Sequence, residues 1–220
     1  MPKPDKPTDP DWHSDAETIN GTNGNDLIIG TDLNSRINGK GGNDYLSGQE
    51  GDDLLAGSRG DDILLGDMHK DIMKGEDGND ILDGGTSLDY VFGGNGDDIL
   101  VYDLNQHVNV APDPGPDTGA PFEDRYSGDA DTDTIIFEMT SDLASEYQAA
   151  IQSAWDNWTD HSQELYLYDA LAAQGIAEPL NLILVDLEVI VFDVVQSTSD
   201  EYIVDGLIAD WMDANNPVPI

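Results

Sequence analysis

The chain has no cysteine, only 8 lysines and arginines against 46 aspartates and glutamates, and an aromatic content of 7%. Without cysteine there is no disulfide framework and no thiolate metal site, so a metal must be held by oxygen or by 4 scattered histidines. Hard cations match that inventory. A net charge of −38 repels nucleic acid and anionic membrane surfaces, so neither is a partner. No run reaches the roughly 18 apolar residues of a membrane helix, which speaks against membrane insertion, and Met1 to Pro7 lacks the apolar core of a secretory signal. His13, His69, His107 and His161 are isolated, and neither a His-Glu-x-x-His helix nor a Gly-x-Ser-x-Gly elbow occurs. The sequence therefore reads as a non-enzyme, with no catalytic residues.

What is present is unevenly spread. Residues 21–101 carry 17 acids and 5 bases, residues 102–220 carry 24 and 1, and 18 of the 23 glycines fall between Gly21 and Gly96. The division is a proline-rich linker over 1–20, a glycine-rich repeat region over 21–101, a loop insertion over 102–127 and an acidic C-terminal cap over 128–220.

Glycine recurs every nine residues at 21, 30, 39, 48, 57, 66, 75, 84 and 93. In that frame the sixth position reads Asp26, Ser35, Asp44, Asp53, Asp62, Asp71, Asp80, Asp89, Asp98, and the eighth is aliphatic or Met throughout, from Ile28 to Leu100. The period predicts a six-residue turn, rich in Gly, Asn and Asp, followed by a three-residue strand with one side chain facing inward. Two units close one coil, and coils stack at about 4.8 Å. Aspartates on one edge then lie about 5 Å apart, where each pair repels by about 3 kcal/mol at an effective dielectric near 20. A divalent cation between coils reverses that sign, and turn carbonyls with carboxylates supply the six to eight oxygens calcium prefers.

These units resemble the repeats-in-toxin (RTX) nonapeptide family, Gly-Gly-x-Gly-x-Asp-x-Leu-x. The resemblance implies a mainly β fold, a right-handed parallel β-roll, followed by a mixed α/β cap. It also implies Ca²⁺ held by carbonyls one and three and the sixth-position carboxylate of one unit, with carbonyls two and four and the carboxylate of the unit two further on. Carried over, Gly39, Gly41 and Asp44 share an ion with Ser58, Gly60 and Asp62, and Gly57, Arg59 and Asp62 share the next with Glu76, Gly78 and Asp80. The same pattern extends outward through Gly21, Asn23, Gly24, Asp26 and Gly42 at one end, and through Gly75, Asp77, Gly96 and Asp98 at the other. On the opposite edge it involves Gly51, Asp53, Asp71 and Asp89. About four to six ions are expected in all.

All three defective units are even-numbered: Leu33 and Ser35 replace the glycine and aspartate of unit two, His69 the fourth-position glycine of unit six, and Ser87 that of unit eight. The odd edge, Asp26 to Asp98, is therefore expected to be complete, with four inter-turn sites, and the even edge to be weaker, centred on Asp53 and Asp71. Odd units also place Leu27, Tyr45, Ile63, Ile81 and Ile99 at the outward seventh position. Either this is ordinary β-propensity on a half-exposed strand, or the face is covered by the tail or another subunit.

Beyond the roll, Gly128 to Ile136 reads as a tenth, out-of-frame unit with Asp133 as a further calcium candidate. Helices are expected from Thr140 to Trp158, from Ser162 to Gln174 and from Ser199 to Asp213, with buried strands within 180–195. The family resemblance implies export by type I secretion machinery, with a signal in the last several dozen residues, and an extracellular or cell-surface location. It points to the calcium-folded C-terminal part of a large adhesin whose parent has a cell-surface ligand. The alternatives are the secretion domain of an exoenzyme or a calcium-dependent ligand-binding module.

Overall fold

The computed structural model describes residues 16–107, 124–176, 180, 182–195 and 203–219. The linker expected over 1–20 is corrected at its end: residues 1–15 lie outside the described residues, but Glu17–Asn20 form a strand paired parallel with Ser35–Asn38, so the roll begins before residue 21. Most of the expected 102–127 loop also lies outside the described residues. Strands β1 (Glu17–Asn20), β2 (Asp26–Ile29), β3 (Ser35–Asn38), β4 (Tyr45–Ser47), β5 (Leu54–Arg59), β6 (Ile63–Leu65), β7 (Ile72–Asp77), β8 (Ile81–Asp83), β9 (Tyr90–Asn95) and β10 (Ile99–Asp103) come first. A short helix α1 (Leu104–His107) is followed by β11 (Asp124–Ala130), β12 (Thr134–Thr140), α2 (Ser141–Asn157), β13 (Leu165–Tyr166), α3 (Leu167–Ala173), β14 (Leu182–Val185), β15 (Val189–Val195), α4 (Ile203–Asn215) and β16 (Val218–Pro219).

Odd and even units separate into two sheets, ordered β15-β12-β10-β8-β6-β4-β2-β16 and β1-β3-β5-β7-β9-β11-β14-β13. Within the roll every pairing is parallel, and the eighth-position residues stack: Ile28 on Leu46, Leu46 on Leu64, Leu64 on Leu82 and Leu82 on Leu100. Each of these is 0% exposed, so one inward side chain per strand builds the core. Burial of an aliphatic side chain stabilises by about 1.5–3 kcal/mol. The fold is a mainly β parallel roll with a small helical C-terminal part.

The roll continues past residue 101. β11 pairs with β9 through Tyr126 and Val91, and β12 with β10 through Ile135 and Leu100. Residues 124–127 and 128–136 thus continue the roll, beyond an insertion after β10. A last coil follows, with Leu184 on Tyr126 and Ile190 on Ile135. Its turn is shorter by three residues than the one it covers. The end is closed by α2 and α3, whose Tyr147, Ile151, Trp155 and Leu171 join the core beside Met139 and Leu184. The helix expected over 162–174 is confined to Leu167–Ala173. Residues 165–166 are drawn out to pair antiparallel with β14, and the Trp158 indole N–H donates to the Gln163 carbonyl at 2.9 Å.

Helix α4 resolves the two readings of the odd outer face. Val204, Leu207, Ile208 and Trp211 pack on Ile63, Ile81, Val101 and Ile136, so the chain covers this face with its own tail. The Trp211 indole N–H donates to the Asp61 carbonyl at 2.8 Å. Beyond it, β16 adds to β2, where a preceding odd strand would lie. Ile63 is 0% exposed. Ile63→Thr is therefore expected to cost about 2 kcal/mol in urea denaturation with calcium present, since it buries a hydroxyl under α4; an unchanged midpoint would restore the half-exposed reading.

Candidate metal centres

The sixth-position aspartates form two ladders. On the odd edge the backbone N–H of Asp26 donates to Oδ1 of Asp44 at 2.8 Å, Asp44 to Asp62 at 2.7 Å, Asp62 to Asp80 at 2.7 Å and Asp80 to Asp98 at 2.8 Å. Asp98 donates in the same way to Asp133 at 2.9 Å, and Asp133 to Oε2 of Glu188 at 2.9 Å. On the even edge the series runs from Ser35 to Asp53, Asp71, Asp89 and Asp124, at 2.6 to 2.9 Å. One oxygen of each rung is thereby fixed. The other, Oδ2, is buried without a partner in Asp44, Asp62, Asp80, Asp98 and Asp133 on the odd edge, and in Asp53, Asp71 and Asp89 on the even edge. A buried acceptor without a donor costs about 1–3 kcal/mol, and more when charged. Among the described residues no basic side chain reaches these atoms, so a cation fits them.

The backbone complements the carboxylates. In units three to nine positions two and four are left-handed, for example at Ser58 (φ 85°) and Gly60 (φ 117°), then at Glu76 (φ 79°) and Gly78 (φ 140°). His69 and Ser87 keep that conformation without glycine (φ 77° and 91°), so units six and eight retain the loop shape despite their substitutions. In units one and two none of Thr22, Gly24, Thr31 and Leu33 is left-handed, and Leu33 is exposed. The first-position glycine is demanded by close approach: a methyl group on Gly57 would collide with Oδ2 of Asp62. Gly57→Ala is expected to remove at least one bound ion from the odd edge, read by equilibrium dialysis of calcium; an undiminished count would show that the glycine serves folding alone.

All the odd-edge residues read from the sequence come together: Gly21, Asn23, Gly24, Gly39, Gly41, Gly42, Gly57, Arg59, Gly60, Gly75, Asp77, Gly78 and Gly96 form the turns stacked beside the odd ladder. Here the strands of the even sheet run on into the turns, with Ser58 opposite Glu76 and Arg59 opposite Asp77. In the turns holding Gly51 and Asp53 on the even edge the described bridges are isolated ones, Glu50 to Met68 and Met68 to Thr86. A second ladder runs in the opposite sense through position five, as the N–H of Asn43 donates to Asn25 Oδ1 at 2.8 Å and that of Asp61 to Asn43 Oδ1 at 3.0 Å.

Both ends of the ladders differ from the sequence expectation. At the first odd rung the Lys40 ammonium bonds the Gly21 carbonyl at 2.7 Å, while Thr22 bonds Asp26 Oδ2 through its hydroxyl at 3.0 Å. A side-chain cation thus already engages one carbonyl assigned to the first ion. At the far end Asp133 supplies an additional rung, which shifts the well-formed part of the odd edge toward the C-terminus. Asp124 was not anticipated, although Gly119 five residues before it and Tyr126 two after carry the nine-residue frame. Its Oδ2 is taken by the Tyr102 hydroxyl at 3.2 Å and faces Nδ1 of His107 at 3.4 Å. His107 Nε2 lies 3.0 Å from the Gly85 carbonyl. Glu188 carries no signal of its own in the nonapeptide frame, because its turn is shortened.

Burial dominates the electrostatics. It pushes the carboxyls up to about 6 at Asp44, about 7 at Asp53 and Asp133, about 8 at Asp62, Asp80 and Asp98, and about 10 at Asp71. Neighbouring rungs add repulsion, while the backbone N–H that each carboxylate accepts opposes the rise. Asp62, Asp71, Asp80 and Asp98 therefore favour a proton or a metal at neutral pH.

Comparison with known families agrees with this chemistry. A family model described as the RTX calcium-binding nonapeptide repeat (4 copies) matches residues 14–32, 29–64 and 65–100. No curated protein and no solved structure matches the chain.

Proposed function

Residues 14–100 being RTX calcium-binding nonapeptide repeats, we propose that the chain is a calcium-triggered folding module of an exported protein. In this reading it crosses a type I secretion channel unfolded and closes into a roll outside the cell. The observation that carries the proposal is the double ladder of buried carboxylates, in which eight aspartates have one oxygen bonded and one orphaned. In a low-calcium cytosol those groups oppose closure and keep the chain open for transport. At the millimolar calcium outside, sites with affinities of about 10⁻⁴ to 10⁻³ M fill and the roll forms. The roll then acts as a rigid extension or terminal cap for a parent chain, an adhesin being the reading favoured here, and has no catalytic role of its own. Other carriers of the same module are an exoenzyme and a calcium-dependent binding module.

The test is co-expression with a type I transporter in a Gram-negative host, with the chain followed by immunoblot in cells and medium. Calcium-dependent β-sheet formation of the exported chain, together with a protease-sensitive intracellular pool, is the expected result. Retention in the cell, or an intracellular pool already protease-resistant, would overturn the export reading and leave calcium binding intact.

A further inference from the structure

The last residues of the chain grip a row of the odd turns that the carboxylate ladder does not use. Position five, one residue before each rung, reads Asn25, Asn43, Asp61, Asn79 and Asp97 on the odd edge. Each side chain accepts the backbone N–H of the next turn through Oδ1: Asn25 from Asn43 at 2.8 Å, Asn43 from Asp61 at 3.0 Å, Asp61 from Asn79 at 3.0 Å, Asn79 from Asp97 at 2.8 Å and Asp97 from Thr132 at 3.1 Å. Aspartate serves this row as well as asparagine, because only an acceptor is needed. At the first two turns the residue is an amide, and with Oδ1 committed to the row its other end is a donor. Both Nδ2 groups go to the tail: Asn25 donates to the Asn215 carbonyl at 3.0 Å and Asn43 to Asn215 Oδ1 at 2.9 Å.

Asn215 is itself held in place. It closes α4, its own amide donates to the Trp211 carbonyl at 3.0 Å, and the left-handed Asn216 (φ 45°) turns the chain toward β16. One helical turn earlier the Trp211 indole reaches the Asp61 carbonyl, and just after Asn216 the Val218 N–H donates to the Asn25 carbonyl at 2.9 Å. Pro217 and Pro219, on either side of Val218, have no N–H to present on the outer edge, so β16 ends its sheet without inviting another strand. Four hydrogen bonds thus join the tail to the position-five residues of units one, three and five. These turns stand in line only when their coils are stacked, and the spacing between them is set by the adjacent rungs Asp26, Asp44 and Asp62. The Oδ2 atoms of Asp44 and Asp62 are among those buried without a partner, so the strap sits beside turns that need a cation to close.

We propose that residues 203–219 are a strap that reads calcium: the tail closes on the odd face only when the turns of units one, three and five are stacked in register, and by closing it tightens calcium binding in those turns. Such coupling is reciprocal, since whatever the ion adds to docking of the strap the docked strap must return to the ion. Leu207, Ile208 and Trp211 supply the apolar contact on Ile63 and Ile81, and the amides supply the register. A slip by one coil toward the C-terminus would set Asn215 Oδ1 against the Asp61 carboxylate, two acceptors face to face. The inference rests on calcium in the turns and not on export.

The test is hydrogen exchange of the full chain in saturating calcium, read by mass spectrometry with strands β4 to β8 as internal reference, together with a calcium titration followed by circular dichroism. Asn43→Asp keeps the acceptor of the row and removes the donor to the strap. Asn215→Ala and Trp211→Phe alter only the tail, and keep the test readable should the first variant fold poorly. In each, the amides of residues 203–219 are expected to exchange about fivefold faster, the effect of losing one neutral hydrogen bond, while the reference strands are unchanged. In Asn215→Ala the calcium midpoint is expected to rise, and Asn43→Asp combined with Asn215→Ala is expected to loosen the strap little more than either alone. Exchange over 203–219 as slow in all three variants as in the unaltered chain would overturn the docking. Faster exchange with an unmoved calcium midpoint would overturn the coupling and leave the tail a passive cover. An unaltered chain that binds no calcium would overturn the turn sites and the strap with them.

Discussion

In excess chelator at neutral pH the chain is expected to lose its β-sheet circular dichroism, and calcium in the range of about 10⁻⁴ to 10⁻³ M is expected to restore it cooperatively. The reason lies in the rungs. Asp44, Asp62, Asp80, Asp98 and Asp133 present five buried oxygens without donors on one edge, and Asp53, Asp71 and Asp89 present three on the other. Successive carboxylates on an edge repel by about 3 kcal/mol per pair before screening. A domain stability is only about 5–15 kcal/mol, so a few such pairs consume it. Filling reverses the balance: each site at about 100 times its dissociation constant contributes about 2.7 kcal/mol, and four contribute about 11 kcal/mol. Because the family pattern would set each inner aspartate between two ions, the sites are expected to fill together. A sheet signal that persists undiminished in chelator at pH 7.5 would show that packing of the eighth-position column, Ile28 to Leu100, suffices to hold the roll. Asp62→Asn, in the middle of the odd ladder, is expected to shift the calcium midpoint upward more than Asp53→Asn on the even edge.

The middle of this molecule is legible from the residues because its structure is local and periodic. Nine-residue glycine spacing fixes the turn, the sixth-position aspartate fixes the rung, and the eighth-position aliphatic fixes the core, so 21–101 can be laid out coil by coil. The same frame runs through Asp124 and Asp133, but the insertion after β10 displaces it by 17 residues relative to the preceding coil, as the pairing of Tyr90 with Arg125 shows. Periodicity alone does not bridge such a gap, and only Asp133 stood out. Glu188 is hidden for another reason. Its coil abandons the nonapeptide turn, and a glutamate, one methylene longer, reaches the N–H of Asp133 from a shortened loop. The apolar seventh positions of odd units left two readings open, β-propensity on a half-exposed strand or a covered face, and the packing of Ile63 and Ile81 under α4 decides for the second. What covers them is set by long-range contact between residues about 140 apart in the chain, Ile63 and Val204, which no local pattern encodes. His69 and Ser87 mislead in the opposite direction: their types suggest broken loops, yet both residues accept the left-handed backbone, a cost the stacked neighbours on either side can absorb.

Acid is expected to substitute for calcium. Desolvation pushes the buried carboxyls to between about 6 at Asp44 and about 8 at Asp62, Asp80 and Asp98, with Asp71 up to about 10, against about 3.9 for an aspartate in the unfolded chain. Folded-state values above unfolded ones mean that, without calcium, the roll binds more protons than the open chain across the interval between them. Its stability is then fully present below about pH 4 and is lost as pH rises through about 6 to 8, the reverse of a salt-bridged aspartate. Neutralising part of the −38 net charge acts in the same direction. In chelator, then, sheet circular dichroism is expected at pH 4.5 to 5 and its loss by pH 8, with the midpoint between. Calcium and protons compete for the same oxygens, so ion uptake at pH 5 to 6, where the calcium-free roll is closed on protons, must expel them. Calorimetric titration in two buffers of different ionisation enthalpy measures that release directly. Binding without proton release, together with a chelated chain equally unfolded at pH 5 and pH 8, would show that the rungs remain charged when the roll closes, and that strand pairing rather than carboxylate burial limits folding.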